Sequence, residues 1–172
     1  MKREVYNLNT NAYREEMRTW LKSQAFDLAV TYTFTDAIEL KTADKLMQNY
    51  GNSIDRDLYG NAAWRYNKRV QRVNFAEMGV RVQKRALLLE QTDGRLHIHS
   101  AVKMPADRFS DLNAFSDYLN TQWHCSSKLS GRAKFVNIYD DNWVHYITKQ
   151  TTAAECDAFL VNSSFIAHTD TF

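Results

Sequence analysis

Two histidines and a glutamate lie close together around a predicted turn, and these residue types could hold a metal ion. The segment ALLLEQTDGRLHIHSAV has an Asp-Gly pair between two apolar runs, which is typical of a two-residue hairpin turn. In that hairpin Glu90 lies opposite His97, and His99 shares their face because residues i and i+2 of a strand point to one side. A three-residue loop would instead place Gln91 opposite His97. Two imidazoles and a carboxylate leave coordination positions for water or a phosphate oxygen, so we expect a catalytic Mn²⁺ or Mg²⁺, with Zn²⁺ as the alternative.

A tyrosine and a lysine near the end of the chain form a second candidate group. The segment NIYDDNWVHYITKQ predicts a helix over 140–150, in which Tyr146 and Lys149 are i, i+3 neighbours. A tyrosine one turn from a lysine can act as a nucleophile, because the ammonium stabilises both the phenolate and the phosphate that it attacks. Taken alone, such a pair is far more often explained by packing plus a solvated charge.

The positive charge is concentrated in one stretch of the chain. The net charge is only +2, but positions 65–85 hold seven basic side chains and one acidic one. Aromatic residues interleave with them, and cations beside aromatic faces suit a nucleic-acid surface. The cations predicted to contact DNA are Arg65, Lys68, Arg69, Arg72, Arg81 and Lys84. A solvated helix face is the alternative interpretation of this stretch.

Length and hydropathy predict one soluble domain over residues 1–172. Apolar residues make up 44% and charged residues 24%, as in globular proteins, which excludes disordered and fibrous classes. No run approaches the roughly 18 apolar residues that span a bilayer. Two cysteines without a CxxC motif favour a reducing compartment, so we expect a cytoplasmic protein with no membrane partner.

The predicted elements alternate irregularly between helices and strands. Strands are expected at 28–35, 82–91, 95–103 and 133–139, with the run 159–167 as a further edge strand. Helices are expected at 10–24, 36–50, 55–73, 111–123 and 140–150. Short turns between the strands favour an α+β fold with a mainly antiparallel sheet. No Gly-rich phosphate-binding loop is present, which excludes a P-loop nucleotidase.

Taken in order, these motifs resemble those of the HUH (His-hydrophobe-His) endonucleases, and more narrowly the replication-initiator, or Rep, branch of rolling-circle elements. The strand LAVTYTFT resembles the first motif, LLLEQTDGRLHIHSAV the second, and WVHYITKQ the third, Tyr-x-x-Lys. The resemblance covers about residues 28–150. It implies a five-stranded, mainly antiparallel sheet flanked by helices, of the ferredoxin-like or RRM-like kind.

The resemblance also implies a role for each site residue. His97, His99 and Glu90 would hold Mn²⁺ or Mg²⁺, Tyr146 would attack the scissile phosphodiester, and Lys149 would assist. The activity implied is sequence-specific nicking and joining of single-stranded or hairpin origin DNA through a 5′-phosphotyrosine, at the start of rolling-circle replication of a plasmid or phage in a bacterial or archaeal cell. Position 150, where some initiators have a second tyrosine, is a glutamine, so a single-tyrosine enzyme is expected. A helicase, from the host or from a domain outside this chain, would be its partner.

Two other functions stay open at this point. A single-strand transposase of the same superfamily has the same order of motifs, whereas a relaxase usually has its tyrosine near the N-terminus and a third histidine. A non-catalytic domain that binds single-stranded nucleic acid would explain the basic stretch and its aromatics. It would leave Glu90, His97, His99 and Tyr146 without a role.

Overall fold

A computed structural model of the protein describes residues 10–78, 96–148 and 158–167. The elements in chain order are α1 (Thr10–Ser23), β1 (Leu28–Phe34), α2 (Leu40–Tyr59), α3 (Asn61–Arg65), β2 (Arg72–Met78), β3 (Leu96–Val102), α4 (Leu112–Ser126), β4 (Ser130–Asn137) and α5 (Asn142–Ile147), followed by one 3₁₀ turn at Val161–Ser163. None of the helices in these ranges is long and apolar enough to cross a membrane.

The four described strands form one antiparallel sheet in the order β2-β3-β1-β4. Strand β3 therefore lies between β2 and β1, and every residue from His97 to Val102 has a cross-strand neighbour on both sides. The predicted α+β class with an antiparallel sheet is confirmed. The described sheet has four strands, whereas the resemblance implied five.

The main apolar core lies on one face of the sheet, under α2 and α4. Strand β1 alternates strictly, and its four core-facing residues are all buried: Leu28, Val30, Tyr32 and Phe34. Trp123 of α4 is fully buried against Tyr32, with ring centroids 4.7 Å apart. The indole Nε1 of Trp123 donates a hydrogen bond to the Gly131 carbonyl at 3.0 Å, so its one polar atom is satisfied inside the core.

The opposite face of the sheet is partly apolar and partly polar. Its apolar part is a cluster of buried residues from β2, β3, α1, α5 and the loop before β1: Val73, Phe75, Ala101, Leu21, Phe26, Val144 and Ile147. Strand alternation places Thr31, Glu77, His97 and His99 on this same face, beside the cluster. The second face therefore holds both α5 and the predicted histidines.

The stretch from 36 to 78 differs from the predicted helices at 36–50 and 55–73. Helix α2 continues without a break from Leu40 to Tyr59, and α3 ends at Arg65. Residues Arg72–Met78 form a strand, in which Arg72 and Asn74 point toward the main core and Val73 and Phe75 toward the other face. Arg72 and Asn74 are buried by partners from other parts of the chain, which the helix prediction did not take into account.

The predicted hairpin is wrong in its pairing. Both sides of β3 are occupied by β1 and β2, so a strand at 82–91 cannot pair with residues 96–102 as well. Glu77 of β2, and not Glu90, lies opposite His97. Glu90 itself lies outside the described residues. An Asp-Gly signal is local, and it carries no information about a partner strand that lies earlier in the chain.

The run at 159–167 is not a regular edge strand. It makes two isolated bridges to β2, Phe159 with Phe75 and Phe165 with Arg72, and the 3₁₀ turn lies between them. The carbonyl of Ser163 in this turn accepts from the Asn74 side chain at 2.8 Å. The segment thus satisfies polar groups of β2 and covers its outer edge.

Candidate active site

His99 lies at the centre of the candidate site, and only 3% of its surface is exposed. The carboxylate of Glu77 is hydrogen-bonded to its Nε2, and Thr31 Oγ1, directly across on β1, lies 3.1 Å from its Nδ1. An ionised carboxylate can only accept, so Nε2–H donates to Glu77, and Nδ1 shares a second hydrogen bond with the Thr31 hydroxyl. Both ring nitrogens are thereby tied to neighbouring strands, which fixes the orientation of the imidazole.

Tyr146 on α5 packs against this fixed imidazole. The two rings meet edge to face, with centroids 4.8 Å apart and planes at 76°. Half of Tyr146 is exposed, and it lines a groove of about 540 Å³ together with His99 and Thr31. The structure therefore brings the predicted nucleophile and one predicted histidine into contact at a surface that a ligand can reach.

Helix α5 is short, and α1 holds it at both ends. At the start of α5, Lys22 Nζ lies 3.1 Å from the Asp141 carboxylate. At its end, Arg18 Nε donates to Thr148 Oγ1 at 3.0 Å, and Thr148, which is fully buried, donates to the Val144 carbonyl. A six-residue helix has little stability of its own, so these contacts and the burial of its apolar side decide where Tyr146 lies.

Glu77, His97 and His99 have side chains that can bind a divalent metal, and strand pairing places them on one face of the sheet. Glu77 is directly opposite His97, and His99 is two residues further along the same face. Two nitrogen donors and one oxygen donor suit Mn²⁺ or Zn²⁺, and Mg²⁺ less well. In the part of the chain that the structure describes, no three His, Cys, Asp or Glu side chains are grouped closely enough to hold an ion. Binding would require the Glu77–His99 hydrogen bond to open and the partly exposed His97 ring to turn inward.

Arg72 was predicted to contact DNA, and that prediction is wrong. Its guanidinium is 7% exposed and makes two hydrogen bonds of 2.9 Å to the two carboxylate oxygens of Asp55, which is also buried. A third bond goes to the Val70 carbonyl. A cation whose donors are used inside the core has none to offer a phosphate, so Arg72 ties β2 to α2 instead.

The described basic residues before β2 are more accessible. Arg65 and Lys68 are exposed, and the Arg69 guanidinium lies over the rings of Trp64 and Phe165, at 5.7 and 5.6 Å. Trp64 and Tyr66 are themselves largely exposed. We call these residues (Trp64, Arg65, Tyr66, Lys68 and Arg69) the basic-aromatic surface. It lies beyond the start of β2, whereas Glu77 is near its end, about 16 Å further along the strand.

Lys68 in this surface is already paired. Its Nζ lies 2.7 Å from the Asp107 carboxylate, and this hydrogen bond lowers the pKa of Asp107 below its ordinary value. Arg81, Lys84 and Lys149 lie outside the described residues. Of the predicted DNA contacts, Arg65 and Arg69 therefore have no carboxylate partner among the described residues.

Glu77 and Thr31 were not identified from the sequence. The signal for Glu77 was the alternation of Val73, Phe75 and Glu77 in RVNFAEM, which places a carboxylate at the end of an apolar strand face. The local Asp-Gly turn drew the assignment to Glu90 instead. Thr31 has no signal of its own, because its role comes from the pairing of β1 with β3.

Comparison with protein-family models, with curated protein sequences and with solved structures found no match for this chain.

Proposed function

We propose that this protein nicks and rejoins single-stranded DNA, with Tyr146 as the nucleophile. The observation that carries the proposal is the ring contact between Tyr146 and His99 beside an open groove. These residues belong to the third and second motifs of the HUH resemblance, and that mechanism needs the tyrosine beside the histidines. A domain that only binds nucleic acid has no need of a half-exposed tyrosine held against a buried, doubly hydrogen-bonded histidine.

In the proposed reaction the Tyr146 phenol oxygen attacks the phosphorus of the scissile phosphodiester. The bond from Oη to phosphorus forms, and the bond from phosphorus to the 3′-oxygen breaks. The phenol loses a proton and the departing 3′-oxygen gains one, so the products are a 5′-phosphotyrosine and a free 3′-hydroxyl. Attack by a 3′-hydroxyl reverses these steps and rejoins the strand, with no net consumption of a cofactor.

The residues around Tyr146 act mainly by position. Thr31 and Glu77 hold His99, and His99 in turn supports the Tyr146 ring, which fixes the nucleophile relative to a bound phosphate. Glu77 replaces Glu90 as the proposed carboxylate of the metal set. A divalent ion held by Glu77, His97 and His99 would take the place of the Glu77–His99 hydrogen bond in orienting His99, and it would supply positive charge to the phosphate.

The proposed task is the initiation of rolling-circle replication at a single-stranded or hairpin origin, with a helicase acting on the opened DNA. The described cations Arg65, Lys68 and Arg69 are proposed to contact the DNA away from the scissile phosphate. A single-strand transposase would perform the same chemical step, so the preferred sequence distinguishes these two functions.

A covalent-trapping experiment tests the proposed activity. The protein is incubated with Mn²⁺ and a pool of randomised single-stranded oligonucleotides, and adducts are sought on a denaturing gel. We expect an adduct that chelation before mixing prevents, and sequencing of the trapped strands gives the cleavage site. Oligonucleotides that are bound but neither cut nor linked would contradict the nuclease and favour the binding domain.

A further inference from the structure

The groove beside Tyr146 extends from His99 toward the end of β4. Lys134 and Val136 of β4, and Tyr139 just after it, line the groove with Tyr146. The described part of the chain has six strongly exposed large hydrophobic or aromatic side chains, and three of them (Val136, Tyr139 and Tyr146) line this one groove. Three exposed side chains of this kind beside the proposed nucleophile are typical of a surface that binds a ligand.

Tyr139 is exposed and yet held in place. The residue is 87% exposed, so it contributes little to the core. Its hydroxyl accepts a hydrogen bond of 2.9 Å from Asn137 Nδ2, and the next residue back, Ile138, donates its main-chain N–H to the Asp27 carbonyl. An aromatic face that is already ordered loses little entropy when a flat partner stacks on it.

Lys134 supplies the positive charge of the groove. It is exposed and lies directly opposite Thr31, the residue that is hydrogen-bonded to His99. Within the described residues it has no ion-pair partner. Asp140 also lines the groove, but its two carboxylate oxygens accept from the main chain and side chain of Asn142 at the start of α5.

We propose that Tyr139 and Lys134 form a nucleotide subsite next to the phosphate that Tyr146 attacks. The Tyr139 ring stacks on a base, Val136 gives it an apolar floor, and the Lys134 ammonium binds the phosphate of that nucleotide. Stacking on an aromatic ring accepts any base, so the subsite sets the path of the strand more than its sequence. This inference rests on the proposed function, since its ligand is single-stranded DNA.

Photocrosslinking tests the stacking half of the proposal. The protein carries Tyr146→Phe, so binding is measured without cleavage, and the probe is a pool of randomised single-stranded 12-mers with one 5-iodouracil each. We expect ultraviolet crosslinks on the tryptic peptide that spans residues 135–149, in which Tyr139 is the remaining tyrosine of this variant, and fragmentation should assign them to Tyr139. Tyr139→Ala should abolish this crosslink and weaken binding roughly tenfold, whereas Tyr139→Phe should retain both.

Two controls separate the subsite from general DNA binding. Tyr66→Ala removes an equally exposed tyrosine from the basic-aromatic surface and should leave the Tyr139 crosslink unchanged. Lys134→Met should make the slope of log affinity against log salt less steep by about 0.7, because one phosphate contact is lost. Lys128 is an exposed lysine outside the groove, and Lys128→Met should leave the slope unchanged.

The outcomes distinguish this inference from the proposed function. Crosslinks only at Trp64 or Tyr66, with Tyr139→Ala binding as the parent does, would overturn the subsite while leaving an adduct-forming nuclease intact. A salt slope unchanged by Lys134→Met would overturn the phosphate contact. No binding of the pool, together with no adduct from the wild type, would overturn the proposed function and the subsite together.

Discussion

The ring of Tyr146 lies edge-on against the imidazole of His99, with centroids 4.8 Å apart. One residue lies on a central strand and the other on a short helix that follows the last strand of the sheet. Their contact depends on both the strand order and the placement of α5. It joins the two motifs on which the proposed chemistry depends.

If Glu77, His97 and His99 bind a metal ion, substitutions of the two histidines should differ in their effect on stability. An ion that binds the folded protein stabilises it by mass action, so Mn²⁺ should raise the Tm of the wild type. His97→Ala and Glu77→Gln should each abolish this shift, and His97→Ala should cost little stability because the ring is partly exposed. His99→Ala should also lose about 1–3 kcal/mol, since it removes a buried side chain that is hydrogen-bonded to the partly buried Thr31 and Glu77. A Glu77→Gln protein that keeps the full Mn²⁺ shift would exclude Glu77 from the set.

The contact between Arg18 and Thr148 predicts a positioning effect from outside the groove. Arg18→Met should slow adduct formation in single-turnover experiments by about tenfold, because α5 and its tyrosine shift relative to His99. The Kd for single-stranded DNA should not change, since Arg18 does not line the groove. Thr148→Val should have the same effect, and the double variant should be no slower than either single one. Additive losses, or a matching loss of affinity, would show that Arg18 does not act through Thr148.

The ion pair between Lys68 and Asp107 predicts a gain of DNA affinity on mutation. Asp107→Asn should free Lys68 for phosphate contacts and steepen the salt dependence of binding by up to about 0.7. The pair lowers the pKa of Asp107 in the folded state, so its small stabilisation is present above the ordinary carboxyl pKa and is lost as pH falls through the lowered value. Unchanged binding by Asp107→Asn would mean that Lys68 lies off the DNA path.

Two neighbouring arginines should separate stability from binding. Arg72→Met breaks a buried pair and should cost about 3–5 kcal/mol in denaturant unfolding, because it leaves Asp55 charged and buried. Arg69→Gln should leave unfolding nearly unchanged and weaken DNA binding, since its guanidinium lies over two rings and pairs with no described carboxylate. A fully stable Arg72→Met protein would contradict the structural role given to this residue.

The fold was predictable where apolar and polar residues alternate strongly along a strand, and where a capping residue marks the start of a helix. The strands at 28–35 and 95–103 were predicted to within a residue, because their apolar side chains mark one face. The helix predicted at 111–123 corresponds to α4, and the Asp111 side chain caps it by accepting from the main chain of Asn113 and Ala114 at 2.9 Å. These signals depend only on neighbouring residues, and so they can be recognised from the sequence alone.

The errors arose where a distant partner decides the structure. Strand β2 was missed, and the helix predicted at 55–73 runs over its first two residues, because the buried Arg72 looks like a surface cation until Asp55 is placed beside it. Glu77 was missed for a related reason, since its place opposite His97 depends on β2 pairing with β3 across the residues between them. Long-range pairing of this kind leaves no local signature in the residues concerned.

The central claim is that the Tyr146 hydroxyl is the nucleophile, and Tyr146→Phe tests it by removing one oxygen atom. The variant keeps the ring that contacts His99, so it should bind the oligonucleotide recovered from covalent trapping as the wild type does. It should form neither an adduct nor a nicked product, because water lacks the position of the phenol. In the wild type, fragmentation of the linked peptide should place the 5′-phosphate on Tyr146 and not on Tyr139. Cleavage by Tyr146→Phe at the wild-type rate, or an adduct on Tyr139, would contradict this account.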